Sequence, residues 1–288
     1  MPRLTVTKTP KCYVGGAFIR SESNLTYAIS DGEGEFFANI PLCTRKDLRN
    51  AVEAAAKAGA GWAKRSAYNR GQILYRMAEM LEARSSELVD AHFPKNAAER
   101  KQATAEVSAA IDRIVHYAGW TDKYEALLGS VNPVATAHFN FSVTEPMGVV
   151  GIMTPEDAPL LGLISMILPV ITSGNAVIAL ASEKTPYPAI ILGEMLATSD
   201  LPGGVINLLT GKNSDLISTF ATHEHIRSVY AYATPEEAKT LQSGASESVK
   251  RTKIISAESS YDWSAATAQG LYQIRDFVEL KTTWHPVG

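Results

Sequence analysis

Apolar residues in the first half of the chain follow the spacing of amphipathic helices. This spacing is clearest in three stretches, over residues 44–56, 69–91 and 97–128, the last with a break. Thr44, followed three residues later by Asp47, forms a capping-box pattern and predicts a helix start. Residues 12–43 are instead typical of short extended segments separated by turns. The pattern therefore predicts short strands followed by long helices.

From Val143 onward, apolar runs with the length of buried strands alternate with helix-like segments. The predicted strands are Val149–Met153, Ala176–Leu180, Val205–Leu209, Ser228–Tyr232 and Thr252–Ile255. This alternation is typical of a parallel sheet with helices on both faces. The sequence therefore predicts an α/β fold with a doubly wound parallel sheet.

Two further segments alternate residue by residue. Ala137, Phe139, Phe141 and Val143 are separated by polar residues, and residues 276–282 alternate in the same way. Such alternation predicts half-exposed strands. Because an isolated ribbon is marginally stable and exposes its edges, we expect these strands to pack on something, either the same chain or another one.

Composition narrows the range of functions. The net charge is -3, from 27 basic and 30 acidic residues, so no basic surface for nucleic acid is expected. The N-terminus has no apolar core of a leader, and Pro159, Pro169 and Gly174 interrupt the longest uncharged stretch. We therefore expect a cytoplasmic protein that does not enter a membrane.

Metal-binding and nucleotide-binding patterns are weak. Cys12 and Cys43 are the only cysteines and lack the spacing of zinc ligands. His223 and His225 form a pair without a nearby third ligand, so no metal site is predicted. The sequence contains neither the G-x-G-x-x-G fingerprint after a strand nor a phosphate-binding P-loop. Such a fold hosts many functions, so these patterns alone do not select one.

Several motifs resemble those of the aldehyde dehydrogenase superfamily. They are Gly61-Trp62-Ala63 before Arg70-Gly71-Gln72, Glu145-Pro146-Met147-Gly148-Val149-Val150-Gly151, and Leu201-Pro202-Gly203-Gly204-Val205-Ile206-Asn207 with Thr210-Gly211. Residues 45–53, 155–162 and 278–281 are most similar to the non-catalytic C-terminal half of the sixteenth aldehyde dehydrogenase family. The resemblance covers nearly the whole chain.

The resemblance implies that the catalytic residues are absent. The family's cysteine nucleophile follows the cofactor-binding region, yet no cysteine follows Cys43. About twenty residues join Ile255 to Phe277, too few for a catalytic domain of at least ~50 residues. The family's oxyanion-donating asparagine corresponds to Asp157, and its general-base glutamate corresponds to Ile255. We expect a chain that lacks the catalytic domain and is inactive alone.

The resemblance also implies an eroded cofactor site. Leu180 takes the place of the ribose-binding lysine, whereas Glu183 is retained and Thr234 lies in the loop that would approach phosphate. We expect no bound cofactor, with weak NAD(P) affinity left open through Glu183 and Thr234. The alternative is that Glu183 is a solvated side chain and Thr234 is a helix N-cap.

The superfamily's oligomerisation flap corresponds to the alternating segments. We expect the Rossmann-like domain over residues 1–134 and 144–262, and the flap over residues 135–143 and 271–288. Phe139, Phe141, Val278 and Leu280 are the predicted interface anchors, and the partner is a second copy or a catalytic aldehyde dehydrogenase chain. A non-catalytic structural or regulatory subunit is the leading hypothesis. A dinucleotide-binding or sensing module, and an oxidoreductase acting with a partner chain, are the alternatives.

Overall fold

The computed structural model describes residues 8–287 and consists of three β-sheets and ten α-helices within that range. The helices are α1 Arg45–Ala63, α2 Ala67–Ala83, α3 Ser85–Asp90, α4 Ala97–Ala118, α5 Tyr124–Leu128, α6 Leu161–Thr172, α7 Tyr187–Leu196, α8 Asn213–Thr222, α9 Pro235–Ser246 and α10 Leu271–Arg275. The strands are β1 Cys12–Val14, β2 Ala17–Ile19, β3 Thr26–Ser30, β4 Phe36–Pro41, β5 Ser130–Asn132, β6 His138–Pro146, β7 Val149–Met153, β8 Ala176–Leu180, β9 Ile206–Leu209, β10 Ile226–Ala233, β11 Arg251–Ser256 and β12 Val278–Pro286.

The central sheet has seven strands in the order β11-β10-β7-β8-β9-β1-β2. The first five run parallel, while β1 and β2 are antiparallel to their neighbours. The order steps outward from β7 in both directions, as in a doubly wound sheet. The predicted α/β class with a parallel sheet is confirmed.

Each face of the central sheet is covered by its own set of helices. On one face Val150, Ile152 and Tyr230 pack with α2, α4, α6 and α7 in one core. On the other face Val149 and Met153 pack with α1, α8 and α9 in a second core. Because alternate residues of a strand point to opposite faces, a strand buried on both sides is apolar throughout, as β7 and β8 are.

The β1–β2 hairpin requires glycine where it meets the loop before β9. Gly16 has φ +85°, and a Cβ at this position would lie 2.9 Å from the Cα of Gly203. A side chain would therefore clash with backbone that cannot move aside. This contact holds the hairpin against the end of the parallel sheet.

A separate antiparallel sheet, which we call the flap sheet, has the order β12-β6-β5. Strands β6 and β12 pair continuously from Val278↔Pro146 to Pro286↔His138. The flap sheet differs from its predicted bounds in three ways. Residues 130–132 and 144–146 belong to it, and residues 271–277 do not, because α10 and Phe277 pack into the main core.

The connection from β11 to β12, residues 257–277, packs on the central sheet. Arg113 of α4 is buried and donates to the carbonyl oxygens of Trp263 (2.7 Å) and Ala268 (2.9 Å), and to Ser165 Oγ (2.8 Å). Asn175 Nδ2 donates to the Phe277 carbonyl oxygen at 2.8 Å. This short connection is therefore fastened to the core along its length.

Among residues 8–287, none of the helices is long and apolar enough to cross a membrane. The uncharged stretch from Ala158 to Ser182 consists of α6 and β8, joined by a turn at Gly174. Both elements are buried in the core, which explains their apolar sequence.

Candidate functional site

The positions that the sequence assigned to catalysis and cofactor binding meet at one place, the carboxyl edge, defined by the residues that end or follow β7, β8, β10 and β11. Parallel strands end at the same edge of a sheet, and ligands of open α/β sheets bind in the crevice outside that edge. Asp157, Glu183, Thr234 and Ile255 lie here. The edge is therefore the candidate functional site.

Glu156 lies in the loop that follows β7, and its side chain reaches the loop that follows β8. Its carboxylate accepts hydrogen bonds from Ser182 Oγ (2.5 Å) and from the backbone N–H groups of Glu183 (2.9 Å) and Lys184 (3.0 Å). Successive backbone N–H groups of this kind form a nest that favours an anion. In this chain the anion is the protein's own side chain.

The carboxylate of Glu183 reaches the start of α8. Its Oε2 accepts from the Asn213 backbone N–H at 3.2 Å, and Lys212, the N-cap residue, makes no side-chain capping bond. A negative charge at a helix N-terminus is favourable because it meets unpaired N–H groups. Glu183 thus has a structural partner, and its role toward a nucleotide stays a prediction.

Thr234 forms the N-cap of α9. Its hydroxyl accepts from the Glu237 N–H at 3.3 Å, and the Glu237 carboxylate accepts from the Thr234 N–H at 2.9 Å. Glu237 also accepts from Asn213 Nδ2 at 3.3 Å, which links the starts of α8 and α9. The hydroxyl of Thr234 is therefore already engaged in a capping box.

Asp157 and Ile255 flank Tyr232. The exposed Asp157 accepts from the Tyr232 hydroxyl at 3.3 Å, and Ile255 lies beside Tyr232 in the β10–β11 register. Burial, with Asp157 close by, raises the pKa of the Tyr232 phenol, so it stays a neutral donor. The aspartate at position 157 supplies no amide donor, and the isoleucine at position 255 supplies no carboxylate base.

Both cysteines are buried, and their sulfur atoms are in contact. Cys12 Sγ lies 3.4 Å from Cys43 Sγ and 3.3 Å from Thr210 Oγ1, and both cysteines are free. Neither is exposed to solvent by more than 2%. A nucleophile must reach its substrate, so this arrangement does not provide one in the described structure.

The predicted interface anchors divide between the two faces of the flap sheet. Phe139 and Phe141 face the same side as Val143 and Val131, whereas Leu280 and Trp284 face the opposite side, as the pairing of β6 with β12 requires. Phe139, Leu280 and Trp284 are exposed, and Phe141 is half-buried. The prediction for Val278 is wrong: Val278 is buried in the main core and presents no surface to a partner.

Histidines 223 and 225 lie near each other, with ring centroids 6.0 Å apart. Over residues 8–287, no cluster of three or more His, Cys, Asp or Glu side chains could hold a metal ion. Sequence reasoning missed Glu156 as the central polar group of the edge. The only sequence signal was an acidic residue after one predicted strand and a Ser-Glu pair after the next.

A family model matches residues 18–257, and its description is "aldehyde dehydrogenase family". The chain is 29% identical over 250 residues to DhaS of Bacillus subtilis (strain 168), a match that covers 85% of this chain and 50% of DhaS. It is also 29% identical over 259 residues to cytosolic 10-formyltetrahydrofolate dehydrogenase of Homo sapiens, which covers 87% of this chain and 28% of that protein.

Solved structures share the fold. An NAD+ complex of aldehyde dehydrogenase from Bacillus cereus superposes with a TM-score of 0.81 at 21% identity, covering 86% of this chain and 51% of that one. The chain thus spans about half the length, or less, of the proteins it matches. Because the family model covers most of the chain, from β2 to the residue after β11, the match includes the whole parallel sheet. The chain belongs to the aldehyde dehydrogenase family.

Proposed function

We propose that this chain is a non-catalytic structural or regulatory subunit of an aldehyde dehydrogenase assembly. The observation that carries the proposal is the connection over residues 257–277, which leads directly from β11 to β12 and is fastened to the core by Arg113. The likeness of residues 45–53, 155–162 and 278–281 to the non-catalytic half of the sixteenth family supports the same function. On this proposal the catalytic domain is absent between these two strands.

The residues at the carboxyl edge support the proposal that the chain has no aldehyde dehydrogenase activity. A covalent aldehyde intermediate needs a thiolate that can reach the substrate, and Cys12 and Cys43 are buried against each other. Oxyanion stabilisation needs a donor, and Asp157 is an acceptor that already engages Tyr232. The edge thus lacks the groups that this family's reaction requires at those positions.

Bound nucleotide is disfavoured for a related reason. Glu156 fills the N–H nest after β8, so a phosphate there would have to displace a carboxylate and withstand its charge. Thr234 and Glu183 are engaged in capping. The alternative function, a dinucleotide-binding or sensing module, would require Glu156 to leave this loop.

The proposal also requires a surface through which the chain assembles with a partner. The flap sheet exposes Phe139 and Val143 on one face, and Leu280 and Trp284 on the other. Burying one such side chain contributes about 1.5–3 kcal/mol, which offsets part of the cost of bringing two chains together. The partner is a second copy or a catalytic aldehyde dehydrogenase chain.

β12 is also compatible with pairing to its own copy. In an antiparallel pair centred on Thr282, Leu280 would oppose Trp284 of the second copy, and Glu279 would oppose His285 of the second copy. Each pair lies on one face, because the partners are separated by an even number of residues. An apolar cross-strand pair such as Leu280 with Trp284 stabilises a sheet.

The deciding experiment measures mass and activity on the same sample. Light scattering of the full chain, alone and with a catalytic aldehyde dehydrogenase, should give a mass above that of one chain. Phe139→Asp or Trp284→Asp should reduce it, whereas Tyr272→Asp, at an exposed position outside the flap sheet, should not. A monomer in every mixture would contradict the proposal.

Activity is measured as aldehyde-dependent NADH formation by the purified chain. We expect none, compared with the ~1–1000 turnovers per second of ordinary enzymes. Turnover in that range, abolished by Cys43→Ala, would show that a buried thiol becomes exposed and would refute the assignment as non-catalytic. A calorimetric titration with NAD should likewise show no heat of binding at micromolar concentrations.

A further inference from the structure

Two free thiols lie in contact inside the protein. Cys12 is in β1, Cys43 directly precedes the N-cap of α1, and their sulfur atoms are 3.4 Å apart. Their exposed fractions are 2% and 1%. The proposed function assigns no role to either thiol, although such proximity allows a chemical reaction between them.

Thr210 holds both cysteines in place. Its carbonyl oxygen accepts from the Cys43 backbone N–H at 3.0 Å, and its hydroxyl lies 3.3 Å from Cys12 Sγ. That hydroxyl donates to the Pro41 carbonyl oxygen at 2.6 Å, so it is fixed in orientation. The two sulfur atoms therefore face each other in a setting that is already ordered.

We propose that Cys12 and Cys43 are an oxidisable pair that closes to an intramolecular disulfide when the protein meets a hydroperoxide. A disulfide has a sulfur–sulfur length of about 2.05 Å, so the two atoms must approach by roughly 1.4 Å. Small rotations of two side chains can supply this movement. A small oxidant suits the site because the sulfur atoms are covered.

The hydrogen bond between the two thiols affects them in opposite directions. The hydrogen bond from Cys43 holds the pKa of the Cys12 thiol below its usual range, although burial opposes this effect. The same bond, together with burial, raises the pKa of the Cys43 thiol. The thiolate is the nucleophile in reactions with peroxide, so the thiol that ionises is oxidised and the other thiol closes the bond.

The reaction balances in two steps. The Cys12 thiolate attacks one oxygen of hydrogen peroxide, the O–O bond breaks, and Cys12 sulfenic acid and hydroxide form. The Cys43 sulfur then attacks the Cys12 sulfur, the S–O bond breaks, and water leaves with the Cys43 proton. The two sulfur atoms thus lose two electrons in total, and these electrons reduce one molecule of peroxide. A dithiol reductant reverses the result.

The disulfide would fasten a weakly attached part of the central sheet. β1 pairs with β9 through Tyr13↔Leu208, a single register pair, whereas the parallel strands pair over four or more. A bond from β1 to the start of α1 would hold this hairpin through a covalent link. It would also remove freedom from the unfolded chain between residues 12 and 43.

The test treats the full chain with hydrogen peroxide, denatures it, and blocks remaining thiols with N-ethylmaleimide. We expect loss of two hydrogens by mass, no maleimide adduct, and recovery of both thiols with dithiothreitol. The midpoint of thermal unfolding should rise by roughly 5–10 °C, since closing a chain segment of this length stabilises the folded state. The matched Cys12→Ser and Cys43→Ser variants should show no such rise.

Dimedone, which traps sulfenic acids, detects the sulfenic acid formed in the first step. It should label Cys12 in the Cys43→Ser variant and should label the unaltered chain much less, because Cys43 competes for the same sulfur. Two maleimide adducts after peroxide treatment would overturn the proposal, as would an oxidised form that unfolds at a lower temperature. A disulfide between two chains, detected as a doubled mass without reductant, would also overturn it.

Discussion

At the scale of single residues, Val249 adopts a backbone conformation that suits glycine. Its φ is +53°, it follows α9, and the Lys250 N–H donates to the Ala245 carbonyl oxygen at 3.0 Å. This bond closes the end of the helix with one residue in the left-handed region, where glycine is usual. Val249 is 92% exposed, so its side chain contributes little packing in return.

Val249→Gly should therefore stabilise the protein by about 1 kcal/mol, because glycine carries no Cβ penalty at positive φ. Urea denaturation followed by circular dichroism would measure the change in midpoint. Val249→Ala is the matched control, since it removes the branch but keeps the Cβ, and it should give a smaller gain. An unchanged or lower midpoint for the glycine variant would contradict this explanation.

Glu106 is a second residue with a defined energetic role. It lies on α4, and its Oε1 accepts from the backbone N–H groups of Leu160 (2.9 Å) and Leu161 (3.0 Å) at the start of α6. Its Oε2 is 3.5 Å from His92 Nε2. Burial opposes ionisation, yet His92 and the two N–H groups prevail and hold the pKa of the Glu106 carboxyl below its usual range.

A depressed folded-state pKa fixes the direction of the pH effect. The stabilisation from Glu106 should be fully present above the unfolded glutamate pKa, about 4.3, and be lost as the pH falls through the lower folded value. Glu106→Gln keeps an acceptor but cannot ionise, so its unfolding free energy should depend less on pH in this window. If the unfolding free energies of the unaltered protein and of Glu106→Gln changed in parallel with pH, this role for Glu106 would be contradicted. Glu106→Ala should cost about 1–3 kcal/mol.

The residues of the site were only partly predictable. The family resemblance singled out Asp157, Glu183, Thr234 and Ile255 separately, and the structure places them at one edge because parallel strands end together. Sequence reasoning could not assign Glu156, since its partners Ser182 to Lys184 follow a different strand. Val278 was misplaced because alternation shows which residues share a face but does not tell which end of a strand enters the core.

At the scale of elements, the connection over residues 257–277 depends on one buried side chain. Arg113 is 3% exposed and binds two carbonyl oxygens of this connection and one hydroxyl of α6. Burial lowers the pKa of its guanidinium, but a group that titrates so far above neutrality keeps its charge. Its removal would leave two buried carbonyl groups without this donor.

Arg113→Ala should destabilise the protein by about 2–5 kcal/mol, because it removes several hydrogen bonds to a charged group and opens a void. Arg113→Lys, which keeps the charge but not the forked geometry, should recover part of the loss. Limited proteolysis should cut the alanine variant first within residues 257–277. Cleavage elsewhere at an unchanged rate would show that Arg113 does not fasten this connection.

Most elements were predicted within a few residues, and the exceptions have physical causes. The uncharged stretch that starts at Ala158 becomes helical only at Leu161, because Glu106, distant in sequence, caps the N–H groups at that point. The helix expected over 69–91 is divided at Arg84, whose φ of -122° leaves the helical region and whose guanidinium binds Glu87 and Glu194. Both boundaries are set by tertiary contacts that periodicity cannot reveal.

At the scale of the whole molecule, the β12 pairing about Thr282 makes a specific prediction for the proposed homodimer. Leu280→Lys and Trp284→Glu should each weaken association by tenfold or more, since each places a charge opposite an apolar side chain. The double variant should recover part of the loss, because the two new charges of opposite sign would face each other across the pair. Sedimentation of the unaltered protein, the two single variants and the double variant at several concentrations would measure the strength of association.

The outcome separates two modes of assembly. Recovery in the double variant requires antiparallel pairing of β12 with its own copy. Two weakened single variants without recovery would indicate that the flap sheet contacts another surface, on a second copy or on a catalytic chain. Unchanged association in all variants would remove β12 from the interface altogether.

The two outer strands of the flap sheet differ greatly in length. In the part of the chain that the structure describes, β12 spans nine residues and β5 spans three. If two copies paired through β12 about a two-fold axis, the free edge of β12 would be covered in both copies. The result would be a six-stranded ribbon whose two outermost strands are the short β5 strands. Three residues offer too few hydrogen bonds to template another copy, so growth would stop at a closed pair. Two long edges would instead permit open-ended polymers, which makes the shortness of β5 a safeguard against fibres.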